Sequence, residues 1–186
     1  CVQAPPILEM GRKNERYYRQ IMIFVGGASG TGKTTALDKF VARNPDFLHL
    51  RASSILRASG RPITNLSVQD IEENQRVLKN VLLLKDLSSK TILDGHLAFP
   101  IGNQFAEVPP SFFKGLSLSA MLFMLIEPTI LLKRKGTSFT KSDVSNIKTL
   151  QNIEYLQMKA AAAEYGCPID IADPANDQEV ERLLLQ

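Results

Sequence analysis

Cysteine is scarce in this chain. Cys1 and Cys167 are its only two, far apart and without metal-ligand spacing. That excludes a disulfide framework and a clustered-thiolate metal site, and it points to a reducing, cytoplasmic setting. Long apolar runs are missing too. Val81–Leu84 and Ala120–Ile126 are core-sized, so no membrane span is expected. Neither sign of charge dominates: 22 Lys and Arg against 19 Asp and Glu leave a formal net charge of +3. A balance that mild does not indicate nucleic acid. No internal repeat, low-complexity tract or secretory signal is visible. The chain opens on Cys1 rather than Met, and the expectation is a fragment or processed chain.

What is present suits one domain: 186 residues can bury a sizeable core. Residues 1–20 read as a basic lead-in or linker. Pro5-Pro6 starts it, and Arg12, Lys13, Arg16 and Arg19 alternate with Glu15 and Tyr17-Tyr18. From residue 21 to 186 strand-like and helical patterns alternate, the signature of an α/β fold with a parallel sheet. Five strands are expected, at Ile21–Val25, Phe47–Leu50, Thr91–Asp94, Met121–Glu127 and Cys167–Ile171, the fourth fully apolar and so central. Helices are expected from Thr34 to near Arg43, around Ser53–Arg57, and from Ser67 to about Leu87 with Val77, Leu78, Val81 and Leu82 buried. Others run from Pro128 to about Lys135, from about Asp143 to Tyr165, and from Asp177 to Leu185. The long fifth helix offers Val144, Ile147, Leu150, Ile153 and Leu156 as its apolar face, with Gly166 as its C-cap.

One motif is far more specific than the rest. Gly27 to Thr34 fits G-x-x-x-x-G-K-[ST], after an apolar strand and before a helix. Gly27, Gly30 and Gly32 permit backbone angles closed to other residues, so the N–H groups from Ser29 through Thr31 to Thr35 can converge on one anion. The following helix adds its positive end. Lys33 is then expected on the β- and γ-phosphates of ATP and the Thr34 hydroxyl on Mg²⁺.

Three weaker constellations accompany the loop. Asp94, at the carboxyl end of an apolar strand, suits the second Mg²⁺-site ligand, although Asp94-Gly95 could simply begin a turn. Arg51-Ala52-Ser53-Ser54-Ile55-Leu56-Arg57 offers two hydroxyls and an arginine to an anionic acceptor, or an ordinary cap with a surface arginine. Lys133-Arg134-Lys135-Gly136 suits a cationic lid whose Arg134 meets the transferring phosphoryl group, or a basic helix end completing the dipole. His96 reads equally as an acceptor ligand and as a structural histidine; His49 reads as structural.

In this order the parts resemble the adenylate-kinase branch of the P-loop nucleoside monophosphate kinases, over about Met22 to Leu185. The likeness is greatest to archaeal-type adenylate kinases and the adenylate-kinase-like ribosome-assembly ATPase. Asp94-Gly95-His96 is similar to their Asp-x-His, and Ala160–Tyr165 to a small-residue run near their C-terminus. The resemblance implies a three-layer P-loop fold with a small acceptor-binding insertion and a short lid. It implies ATP phosphates on Gly27 to Thr35, Mg²⁺ at Thr34 and Asp94, an acceptor at Ser53, Ser54 and Arg57, and a lid arginine at Arg134. Two departures stand out. No arginine follows Asp94-Gly95-His96-Leu97-Ala98-Phe99-Pro100, and the lid after Arg134 has only Lys135 and Lys141, which lack the planar fork.

Three functions follow as expectations. The first is transfer of the γ-phosphoryl of Mg·ATP to a nucleoside monophosphate. The second is an ATPase switch acting on a protein or ribonucleoprotein partner. The third is a kinase for a small metabolite, with the varied Leu97–Leu118 stretch shaping the pocket.

Overall fold

The computed structural model describes residues 21–85, 90–102, 104–134, 136 and 138–186. The expected lead-in (1–20), the helix end near Leu87, and Lys135 lie outside the described residues.

Five strands form one parallel sheet in the order β2-β3-β1-β6-β7: β1 (Ile21–Gly26), β2 (Phe47–Arg51), β3 (Lys90–Asp94), β6 (Leu118–Met124) and β7 (Ile169–Ala172). β1 is the middle strand, and its alternation feeds two separate cores. Met22 and Phe24 pack on one face with α3 (Val68–Leu84) and α5 (Lys141–Tyr165), while Ile23 and Val25 pack on the other with α1 (Lys33–Arg43) and α6 (Asp177–Leu184). Two apolar faces require two helical layers, hence three layers in all. The short α2 (Ala52–Ala58) and α4 (Pro128–Arg134) stand at the rim. Among the described residues no helix is long and apolar enough to cross a membrane.

Local signals set several boundaries as expected. Ser67 and Asp70 form a capping box at the start of α3, and Asn44 ends α1. Gly166, at φ 64°, closes α5 in the left-handed region.

Other expectations fail for identifiable reasons. β6, although interior, begins three residues earlier than Met121. Its less apolar first residues are recruited by β1, in the pairs Met22↔Leu118 and Ile23↔Ala120, across a bulge. The stretch after β3 contains an antiparallel hairpin, β4 (Ala98–Ile101) with β5 (Gln104–Glu107), and a 3-10 turn at Pro110–Phe113 that plugs Phe113 into the core. The buried face of α5 is rotated from the expected one. Gln151, Glu154, Met158, Ala161 and Ala162 are buried, Val144 and Ile153 are half-buried, and Leu156 is 51% exposed. The polar members turn inward because backbone groups at the strand ends bond them, as Gln151 does in donating to the Ile126 carbonyl at 2.9 Å. In α3, likewise, Asn74 is buried and Val77 and Val81 are only half-buried.

Candidate active site

Parallel strands end on the same side, so the carboxyl ends of β1 and β3 share one rim. β1 leaves the sheet into the glycine loop, whose Gly27, Gly30 and Gly32 have φ of 138°, 89° and 106°. Gly27 is required for a second reason. A Cβ there would stand 2.4 Å from the Met124 carbonyl oxygen on the neighbouring strand. The loop is therefore wedged against β6, and its residues Ser29 to Thr35 face the neighbouring cleft.

Lys33 begins α1 and is buried, donating to the carbonyls of Gly27 and, at 3.3 Å, Ala28. Burial pushes its ammonium below its ordinary value, while Asp94 and Glu154 pull it partly back. Thr34 Oγ1 donates to Asp94 Oδ2 at 2.7 Å. Burial works against the Asp94 charge. His49, Lys33 and Thr34 outweigh it and hold the carboxyl below its usual range. His49 is drawn into the site by geometry that β2 provides: its Nδ1 lies 3.0 Å from Asp38 Oδ1 and its Nε2 3.7 Å from Asp94 Oδ2. Arg134 NH1 donates to the Thr31 carbonyl at 2.6 Å, so this arginine reaches the loop from the end of α4.

Loop and strand ends open onto a cleft of about 710 Å³. Residues Ser29 to Thr35 line one part with Asp94; α2, α3 and the segment after β3 line the other. In that second part Ser53, Arg57 and His96 are all present. Ser54 is exposed and does not line the cleft. α2 has no side-chain cap, and Arg51, at its N-cap, pairs with Asp38. The serines therefore neither cap the helix nor jointly frame an anion. Arg57 is exposed and has no ion-pair partner among the described residues. The surrounding wall is apolar and aromatic, including Leu56, Ile71, Leu78, Phe99 and Phe112. Asn74 accepts from Arg61 at 2.8 Å and donates to the Pro62 carbonyl at 2.8 Å, pinning the connection between α2 and α3.

Two residues of the site escape the sequence reading, His49 and Glu154. Glu154 is fully buried, and its Oε1 accepts from the Gly27 N–H at 3.0 Å. The available signal was positional. Ile147, Leu150, Glu154 and Met158 recur at helical spacing, so a carboxylate stands in an otherwise apolar stripe.

A glycine loop gripping a helix start, a hydroxyl bonded to a strand-end carboxylate and a rim arginine define a P-loop nucleotide-binding protein. Residues 26–151 match the family model described as the AAA domain, more than half of the chain, and the chain belongs to that family. Similar solved structures include a gluconokinase from Sinorhizobium meliloti 1021, with TM-score 0.52 and 13% identity over 90% of this chain and 90% of that one. Another is an unliganded sugar kinase from Janibacter sp. HTCC2649, with TM-score 0.54 and 15% identity over 89% of this chain and 92% of that one. At such identities the likeness shows the fold, which is the kinase-like P-loop fold. No curated protein matches by sequence.

Proposed function

We propose that this chain is an adenylate-kinase-like phosphotransferase that moves the γ-phosphoryl of Mg·ATP to a nucleoside monophosphate. The observation that carries the reading is the contrast inside the acceptor part of the cleft. Its wall is largely apolar and aromatic, with Arg57 as its cation and His96 beside it. A flat base with one phosphate fits such a slot. A sugar acid would leave its hydroxyls short of buried hydrogen-bond partners, which binding tolerates poorly.

Residues Gly27 to Thr35 would hold the ATP phosphates, with Lys33 exchanging its loop carbonyls for β- and γ-oxygens. Thr34 and Asp94 already bring a hydroxyl and a carboxylate oxygen together, a donor set of hard oxygens that fits Mg²⁺. Bound there, Mg²⁺ would supply neutralisation of phosphate charge. Arg134 would move from the Thr31 carbonyl to the transferring group, and Arg57, with Ser53 and His96, would place the acceptor phosphate. A phosphate oxygen attacks the γ-phosphorus without surrendering a proton, so no general base is required. The unit doing this spans 21–186, with 1–20 as its lead-in, in the cytoplasmic setting that the two cysteines favour.

Two features favour the ATPase switch: the missing arginine after His96 and the lean lid. Incubation with Mg·ATP and, in turn, AMP, CMP, UMP, dTMP or gluconate separates the readings. The expected result is ADP formed together with a nucleoside diphosphate. ADP formed equally with and without acceptor would establish the switch, and a phosphorylated sugar acid would establish the metabolite kinase.

A further inference from the structure

The proposed transfer leaves one buried charge without a task. Glu154 is fully buried on α5, yet its Oε1 gathers groups from both sides of the cleft. The Gly27 N–H, which opens the phosphate loop, donates to it at 3.0 Å, and the Leu97 N–H, after β3, donates at 3.4 Å. His96 Nδ1 stands 3.5 Å from the same oxygen, while Oε2 is buried with no hydrogen-bond partner among the described residues. A desolvated carboxylate is costly to keep, and an apolar side chain would close the helix more cheaply, as Met158 does one turn on. Burial opposes the Glu154 charge, but His96, Lys33 and Gly27 more than offset it and hold the carboxyl below its usual range.

The carboxylate sits on a rigid base. One turn before it Gln151 bonds the Ile126 carbonyl at 2.9 Å. One turn after it Met158 lies so close beneath Gly26 that a Cβ there would meet its sulfur at 2.4 Å. The helix that follows the lid is thus keyed to the ends of β1 and β6 on either side of Glu154.

We infer that Glu154 is a positioning residue. It turns His96 Nδ1 into the protein, leaves Nε2 for the cleft, and holds that ring in register with the phosphate loop. The partner of one imidazole nitrogen decides what the other can do. Phe99 completes the hold, its ring edge-on to His96 at 6.2 Å and 76°. The consequence for acceptor binding rests on the phosphotransferase reading; the orientation of the ring does not.

The experiment uses the whole chain, whose only histidines are His49 and His96, so ¹⁵N imidazole spectra are assigned by His96→Ala alone. At alkaline pH the His96 proton is expected on Nδ1 in the wild type, and on Nε2 or averaged between the two in Glu154→Gln. With AMP as acceptor, Glu154→Gln is expected to raise the acceptor KM roughly tenfold. In the His96→Ala background Glu154→Gln should add nothing further. A proton on Nε2 in the wild type, an unchanged spectrum in Glu154→Gln, or additive KM effects would each overturn the assignment. If Glu154→Gln does not fold, the wild-type spectrum alone decides. If AMP is not phosphorylated, the acceptor reading fails while the spectrum still tests the ring.

Discussion

The two parts of the cleft are built on different principles. The part proposed for the ATP phosphates is set by one fixed backbone turn: three left-handed glycines that hold a buried lysine against carbonyls and a hydroxyl against Asp94, within one loop and the adjoining strand end. The acceptor part is made of side chains from α2, α3 and the segment after β3, with Ser53 and Arg57 exposed. Backbone chemistry at a fixed turn tolerates little change. Side chains gathered from separate segments can be exchanged without disturbing the sheet. One P-loop fold can therefore keep its nucleotide and change its acceptor.

The largest expected effect attacks the donor part. Lys33→Ala should lower turnover at least about 100-fold, as loss of a charge-stabilising donor does, measured by ADP release at saturating Mg·ATP. Normal turnover in that variant would remove the distinction between the two parts. Gly27→Ala should destabilise the fold by about 1–3 kcal/mol, because the added carbon meets the Met124 carbonyl at 2.4 Å and φ is 138°. Chemical denaturation followed by circular dichroism would show it. A comparable change at the open Gly60, at φ 70° with nothing among the described residues within 4 Å, should cost less, since only the backbone conformation is strained.

Arg57→Ala probes the other side. It should raise the acceptor KM roughly tenfold, the scale of one hydrogen bond to a charged group, and leave ATP affinity unchanged by calorimetry. An equal loss of ATP affinity would mean that the two parts are one site.

The smallest effect is on acid stability. Asp94 and Glu154 are held below their ordinary values despite burial, because their partners favour the charged form. Each thus contributes stability that is complete above the ordinary carboxylate pKa of about 4 and is lost as pH falls through the lower folded value. Unfolding midpoints should therefore drop below about pH 4. The drop should be shallower in Glu154→Gln, whose starting stability is lower but whose amide does not titrate.

Much of the fold was legible because it depends on local chemistry. The capping box at Ser67, the left-handed Gly166 and the break after Arg43 are decided within a few residues. So was the phosphate loop, since its glycines act through their own backbone angles. The hairpin at 98–107 was not legible: its four-residue strands pair only with each other and lack the apolar alternation of a sheet edge. Of the two serines expected at the acceptor only Ser53 lines the cleft, and the sequence could not separate them because hydroxyls in a first turn look alike whether or not they face a cavity.

By itself the sequence determined the order of strands and helices, the phosphate loop and the strand-end carboxylate, because periodicity and glycine conformation are properties of contiguous residues. Only the tertiary structure decided which face of α5 is buried. There, Gln151 and Glu154 lie inside and Leu156 outside, because strand-end N–H and C=O groups that come from 25 to 127 residues away in the chain had to be satisfied. Such partners exist only once the sheet has formed, and no local pattern names them.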